Sequence, residues 1–173
     1  MSQPTSTERP LFGGALSAPI STSFLDASQI RQIPDNQEVF VDASTEQSLI
    51  IELLQLVAEA QGDEVAKYHF QQLAEDNEAA ESTVNKIERL EDHHLSADAL
   101  IHVLNGTQKI AKFNEKELHT VNIVMAIIRL PKADTDIAIS INVPVGEGQV
   151  DLVETAMINM VRNFKVNDWS LFG

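Results

Sequence analysis

The chain has 173 residues, enough for one domain, and its 43% hydrophobic content is enough to build a core. It contains no cysteine, which excludes a disulfide scaffold, thiol catalysis and a zinc site built on thiolates. Its net charge of −14 disfavours nucleic acid and anionic membrane surfaces as partners, and it favours a basic protein surface.

The negative charge is concentrated in one part of the chain. Residues 35–98 contain 16 acidic and 3 basic residues, whereas the remainder contains 10 acidic and 9 basic residues. Opposite fields accelerate the encounter of two proteins, so this region is suited to a basic partner. The alternative interpretation is that most of these carboxylates form a solvated face without a specific partner.

The first ten residues are polar and rich in Ser, Thr and Pro, which predicts a flexible N-terminal tail before a domain spanning residues 11–173. They lack the apolar segment of a secretory signal. No apolar run reaches the ~18 residues that cross a membrane. Residues 11–20 are expected to form a short strand closed by Pro19. The pair Gly13-Gly14 predicts either a β-bulge or a close approach to a partner.

The next elements in the chain are predicted to be turns, one strand and two helices. Residues 24–33 indicate a turn-rich connection with a helical turn after Asp26, and residues 34–36 a turn before a strand over 38–42. Ser44 and Gln47 have the spacing of a capping box, and leucines then recur at helical spacing. We therefore expect a first helix from Ser44 to Ala60 and a second over residues 63–75.

The second half of the chain indicates strands followed by one helix. Residues 82–90 and 120–130 predict strands, and Asn105-Gly106 predicts the turn of a hairpin between residues 99–104 and 107–113. Alternating isoleucines predict a further strand that faces one core and ends at Gly146 and Gly148. The final helix places apolar residues on its inner face, and an apolar C-terminal segment is expected to dock on the body. The alternating strand residues are Ile137, Ile139, Ile141 and Val143, and the inner helix residues are Val153, Met157, Met160, Val161 and Phe164.

These elements predict an α+β fold. A run of mostly antiparallel strands between helices favours a single-domain α/β/α sandwich, in which helices cover both faces of one central sheet.

Motifs for catalysis are weak in this sequence. Gly146-Glu147-Gly148 lacks the rest of a dinucleotide fingerprint, and no Gly-x-Ser-x-Gly elbow occurs. His93 and His94 invite a metal interpretation, but neighbouring residues of a strand point to opposite faces and no second ligand cluster follows. We interpret them as surface residues. An acid–base enzyme is the disfavoured alternative because the many carboxylates form no recognisable constellation.

Three segments near the N-terminus carry a resemblance to a known family. They are Leu11-Phe12-Gly13-Gly14-Ala15, then Phe24-Leu25-Asp26-Ala27-Ser28, then residues 31–40 with the sequence Arg-Gln-Ile-Pro-Asp-Asn-Gln-Glu-Val-Phe. In this order they resemble the signature of the Ran guanine nucleotide release factors. Weaker similarity continues through residues 47–54, 68–70, 129–136 and 172–173, and little is recognisable over residues 93–109.

The resemblance implies a fold, a partner and an activity. The fold is a compact α/β/α domain similar to PsbP, with an antiparallel sheet. The partner is the GTPase Ran, from which family members stimulate release of bound GTP without a cofactor and without enzymatic chemistry of their own. A role in protein transport into the nucleus is also implied, so we expect a protein of the nucleus and cytoplasm that is monomeric when free.

The resemblance also implies a binding site. Its acidic residues for Ran match Asp35 and Glu38, and the predicted site further includes Asn36, Gln37 and Asp26 from the same segments. Asp35 has a second interpretation as a turn-forming residue after Pro34, whereas Glu38 at the start of a strand has no evident structural role. The alternative function is that of an acidic PsbP-like adaptor for other basic proteins.

Overall fold

The computed structural model describes residues 5–111, 117–145 and 150–173. These residues form ten strands and two α-helices, and neither helix is long and apolar enough to cross a membrane. The helices are α1 (Asp63–Asp76) and α2 (Val150–Arg162). The strands are β1 (Ser6–Leu11), β2 (Leu16–Ser21), β3 (Leu25–Asp26), β4 (Gln37–Val41), β5 (Ser48–Gln55), β6 (Glu81–Leu90), β7 (Leu100–Ala111), β8 (Leu118–Leu130), β9 (Thr135–Pro144) and β10 (Lys165–Val166).

The strands form two sheets. The larger has the order β3-β4-β5-β9-β8-β7-β6 and the smaller the order β1-β2-β10. Neighbouring strands are antiparallel throughout the described residues. Helix α1 packs on one face of the larger sheet, and α2 together with the smaller sheet covers the other face. The fold is therefore the predicted α+β, α/β/α sandwich with a central antiparallel sheet.

The alternation along β9 separates the two cores. Ile137, Ile139, Ile141 and Val143 are buried in the core that α2 and the smaller sheet share, whereas Ala138 belongs to the core under α1. Successive residues of a strand point to opposite faces, so this pattern confirms the predicted orientation of the isoleucines.

Both helices and the long strand β8 lie close to their predicted positions. Asp63 and Glu64 are in the first turn of α1, where acidic residues favour the positive end of the helix dipole. Strand β8 ends directly before Pro131. The C-terminal segment docks as expected, since Leu171 and Phe172 pack against the larger core. The residues of α2 and its C-terminal end that are buried there are Val153, Met157, Met160, Val161 and Phe164.

The expected flexible tail is wrong for residues 6–10, which belong to β1. This strand pairs with β2 along its whole length. The Arg9 guanidinium donates to the carbonyl of Ser21 at 2.9 Å and lies 5.4 Å from the centre of the Phe40 ring. Composition indicated disorder because β1 is mostly exposed, and its stability comes from a partner strand and not from its own residues.

The Gly13-Gly14 segment is neither a bulge nor part of a strand. It forms the turn of the β1–β2 hairpin, with φ angles of 51° at Phe12, 69° at Gly13 and 91° at Gly14. Positive φ angles lie in the left-handed region of the backbone, which glycine adopts without steric cost. Two glycines at this turn therefore fit its conformation. Pro19 lies inside β2 and does not close a strand.

The predicted first helix is wrong, because residues 48–55 form β5. Leu49 and Leu53 are four residues apart, a spacing that fits both a helical period and the period of two in a strand. The alternation of buried Leu49 and Ile51 with half-buried Ile50 follows the strand period. Residues 48–55 form a strand and not a helix because they pair with β4 on one side and with β9 on the other.

The predicted hairpin at Asn105-Gly106 is also wrong, because both residues lie in the middle of β7. A β-carbon on Gly106 would lie 2.5 Å from Cζ of Phe70 and 2.6 Å from the carbonyl oxygen of Thr83. This glycine is therefore required by close packing under α1 and not by a turn. Phe113, Gly146 and Gly148, which belonged to predicted strand ends, lie outside the described residues.

Candidate functional site

A shallow cleft of about 250 Å³ opens at the β4 edge of the larger sheet. Strand β3 pairs only with Phe40 and Val41, so the first residues of β4 lie beyond its end. The hairpin turn and the connection between β3 and β4 form the walls. The lining residues are Phe12, Asp26, Ser28, Ile33, Pro34, Asp35, Gln37, Glu38 and Val39.

Glu38 is the acidic residue held most firmly in this cleft. It pairs with Ile51 in the sheet, and its Oε1 accepts a hydrogen bond from the backbone N–H of Phe12 at 3.0 Å. Glu38 therefore has a structural role that the sequence did not reveal, since it ties the hairpin turn to β4. No described residue donates to its Oε2, which leaves that oxygen available to a partner.

The electrostatic environment of Glu38 is unfavourable to its charged form. Partial burial raises the pKa of Glu38, the N–H of Phe12 opposes this rise, and the nearby carboxylate of Asp26 adds to it. None of Asp26, Asp35 and Glu38 forms an ion pair with a Lys or Arg among the described residues. A cation from a partner would relieve the repulsion between these carboxylates.

Asp26 combines a structural bond with a place in the cleft. It caps a single 3-10 turn over residues 27–29, and its Oδ1 accepts from the backbone N–H of Ser28 at 2.9 Å. This turn is the one predicted after Asp26, and the half-buried Asp26 also lines the cleft.

Asp35 and Asn36 occupy the turn before β4. The turn is closed by a hydrogen bond from the N–H of Gln37 to the carbonyl of Pro34 at 3.0 Å. The Asp35 carboxylate is exposed and forms no hydrogen bond with another described residue. Asn36 instead bonds β5, since its Nδ2 donates to the carbonyl of Leu53 at 3.2 Å. The backbone therefore closes the turn, and the Asp35 side chain is not needed for it.

Gln37 connects the cleft to the adjacent surface. Its Nε2 donates to Oε2 of Glu52 on β5 at 2.7 Å. Four of the five predicted residues thus line one cleft, namely Asp26, Asp35, Gln37 and Glu38, while Asn36 lies beside it and bonds the neighbouring strand.

Two exposed apolar residues beside the cleft were not singled out from the sequence. Leu25 is 56% exposed and Ile30 is 74% exposed, and they flank the 3-10 turn that Asp26 caps. Large apolar side chains in such positions often contribute to protein interfaces. The sequence feature that could have pointed to this surface is Ile30, a large apolar residue in a polar, turn-rich segment.

The described residues contain no group of three or more His, Asp or Glu side chains placed to hold a metal ion. The cleft presents the carboxylates of Asp26, Asp35 and Glu38 beside apolar side chains such as Phe12 and Ile33, a combination suited to contacting a protein.

Solved structures define the class of fold. The solution structure of cyanobacterial PsbP from Synechocystis sp. PCC 6803 superposes with a TM-score of 0.63 at 8% identity, covering 95% of this chain and 94% of that one. At this identity the likeness shows only that the fold is PsbP-like. The crystal structure of the Saccharomyces cerevisiae Ran-binding protein Mog1p superposes with a TM-score of 0.78 at 27% identity, covering 99% and 100% of the two chains.

Sequence comparison identifies the family. The family model described as Ran-interacting Mog1 protein matches residues 9–144, so the chain belongs to the Mog1 family. A Danio rerio protein named Ran guanine nucleotide release factor is 44% identical over 142 residues, covering 79% of this chain and 78% of the relative. A Schizosaccharomyces pombe protein named nuclear import protein mog1 is 39% identical over 142 residues, covering 78% and 75%.

Proposed function

We propose that this chain binds the GTPase Ran through the acidic cleft and promotes release of its bound guanine nucleotide. The names of the family and its relatives support Ran as the partner and nuclear import as the process. The observation that carries the site is Glu38, a half-buried carboxylate with one oxygen held by Phe12 and no hydrogen bond from any described residue to the other.

The proposed protein acts by binding and not by chemistry of its own. A release factor lowers the affinity of a GTPase for nucleotide when it binds the empty form better than the loaded form. Each tenfold loss of nucleotide affinity requires about 1.4 kcal/mol of such differential binding. Ionised carboxylates suit this role, because they pair with basic residues that otherwise hold phosphate, or they disturb the magnesium ion of the nucleotide.

A role in nuclear import would place the protein where Ran operates, in the nucleus and cytoplasm. The acidic region over residues 35–98 would contribute long-range attraction to a basic surface, and the cleft would provide the specific contacts.

The test removes charge from the cleft without removing hydrogen-bonding atoms. In the double variant Asp35→Asn with Glu38→Gln, the glutamine retains an oxygen that can accept from Phe12. We expect about tenfold or greater weakening of Ran binding, because a charged contact is lost at a partly desolvated site. Nucleotide release from labelled Ran should slow in parallel, and thermal melting should change little.

A matched control removes the same charge from the opposite edge of the larger sheet. Glu91 and Asp92 follow β6 and are exposed, and their ion pairs with Arg89 and Arg162 are surface pairs that contribute little stability. The variant Glu91→Gln with Asp92→Asn should bind Ran almost normally at physiological salt. Equal losses in the two variants would assign binding to the diffuse acidic field, and normal release by both would remove the cleft from the proposal. A wild-type protein that binds other basic proteins but not Ran would favour the adaptor function.

A further inference from the structure

Helix α1 leaves part of its sheet face uncovered. It packs on β6, β7 and β8, while the half of the face formed by β4, β5 and β9 borders a groove of about 450 Å³. We call this the open groove and define it by the apolar residues Ile50, Leu54, Val57, Tyr68, Leu73 and Met125 that line it.

The open groove combines an apolar lining with an acidic rim. Ile50, Leu54 and Leu73 are only half-buried, so their apolar surface contacts solvent. The carboxylates of Glu52 and Asp76 border the groove and form no ion pair with another described residue. This composition suits an amphipathic segment that presents apolar side chains together with Lys or Arg.

The open groove and the acidic cleft meet at the β4 edge of the larger sheet. Gln37 lines both, and its side chain bonds Glu52 at the groove rim. Glu38 pairs with Ile51 and faces the α2 side of the sheet. Gln37 instead pairs with Glu52 and faces the groove, so a protein seated on the cleft reaches the groove by passing around the β4 edge.

We propose that the open groove is the second half of the partner-binding surface and takes an amphipathic, basic segment of the same GTPase that contacts the cleft. The inference rests on the proposed function. A second copy of this chain is disfavoured as the occupant, because its net charge of −14 would bring acidic surfaces together. A basic segment satisfies both the apolar lining and the rim carboxylates.

The principal test is the variant Ile50→Lys, which places a cation in the lining. We expect about tenfold or greater loss of affinity for Ran, measured by calorimetry with nucleotide-loaded and nucleotide-free Ran. The matched control is Val84→Lys, which introduces the same charge at a 37% exposed apolar residue on β6, at the far edge of the same sheet. The control should bind within about twofold of wild type.

The acidic rim is tested with the double variant Glu52→Gln and Asp76→Asn, which neutralises both rim carboxylates. Glutamine at residue 52 still offers an oxygen to Gln37, so only charge is removed. We expect weaker binding and a smaller dependence of affinity on salt concentration, because pairs between exposed charges are screened by salt. An unchanged affinity and salt dependence would contradict the assignment of these carboxylates to the interface.

A measurement on the unmodified protein covers the case in which Ile50→Lys fails to fold. Methyl NMR signals of Ile50, Leu54 and Leu73 should shift or broaden when Ran is added, whereas the methyls of Val84 should not. Wild-type binding that is weakened by Asp35→Asn with Glu38→Gln, but unaffected by Ile50→Lys and silent at these methyls, would overturn the groove inference and leave the proposed function intact. Absence of wild-type binding to Ran would instead overturn both.

Discussion

At the scale of single residues, one buried ion pair fixes a long loop to the sheet. Arg129 on β8 and Asp136 on β9 form a bidentate pair, with Nε–Oδ1 at 2.8 Å and Nη2–Oδ2 at 2.9 Å. The same guanidinium donates to the carbonyls of Val57 and Ala60 at 2.7 Å each, and His69 on α1 lies 3.0 Å from the carboxylate. The loop between β5 and α1 therefore depends on this pair.

The first residue-scale prediction concerns the charge of that pair. Asp136→Asn leaves the Arg129 guanidinium buried without its counter-charge, so we expect a loss of about 3–5 kcal/mol in the free energy of unfolding, measured with urea. Asp134→Asn is the control, because Asp134 is exposed and asparagine tolerates its left-handed backbone. The control should stay within about 0.5 kcal/mol of wild type, and a similar small effect of Asp136→Asn would contradict the importance of the pair.

The same variant should change the response of stability to acid. Burial alone would raise the pKa of Asp136, but hydrogen bonds from Arg129, His69 and the N–H of Val57 lower it to about 2. The folded-state pKa lies below the ordinary value of 3.8, so the carboxylate stabilises the fold above about pH 4, and this contribution is lost as the pH falls toward 2. Wild type should lose more stability than Asp136→Asn between these two pH values.

At the scale of elements, the period of apolar residues decided some assignments and left others ambiguous. The isoleucines of β9 alternate over seven residues, a pattern that only a strand explains. The leucines of β5 are spaced by four, which both periods allow. Asn105-Gly106 has the composition of a hairpin turn, yet Gly106 provides room for Phe70 from a helix distant in sequence. Local signals fail at such positions because the deciding contact is not local.

Gly106 gives the prediction at this scale. Gly106→Ala would place its β-carbon against the Phe70 ring and the Thr83 carbonyl, and the backbone atom cannot rotate away. We expect a loss of about 1–3 kcal/mol through overpacking, seen as a lower melting temperature. The companion variant Gly106→Ala with Phe70→Leu should not recover full stability, since the contact with Thr83 remains. A Gly106→Ala protein as stable as wild type would show that the strands separate more easily than their packing indicates.

At the scale of the whole molecule, the small sheet completes the core on the α2 side. Strand β2 lies between β1 and β10 and contacts α2. The C-terminal segment bonds the hairpin turn through Asn167, whose Nδ2 donates to the carbonyl of Gly14 at 3.1 Å. The β1–β2 hairpin turn and the segment around Asn167 therefore meet next to the wall of the cleft.

Removal of residues 1–10 tests whether β1 belongs to this unit. Deletion exposes the paired edge of β2 and removes the contacts of Arg9, so we expect a loss of about 2 kcal/mol or more, equivalent to a fall of about 4–8 °C in Tm. Arg9→Ala should produce a smaller fall, because it removes the side-chain contacts and leaves the strand pairing. A deletion variant with an unchanged Tm would restore the interpretation of this segment as a dispensable tail.

By itself, the sequence determined the fold class, α1, α2 and the strands β6, β8 and β9, because their signals are local and strongly periodic. It also placed Asp26, Asp35, Gln37 and Glu38 in a predicted site through short segments in a fixed order. Tertiary structure alone decided that β1 is ordered, that β5 is a strand, and that Asn105-Gly106 lies inside β7. It also assembled the cleft and the open groove, because both form between elements far apart in the chain, where pairing and packing outweigh local preference.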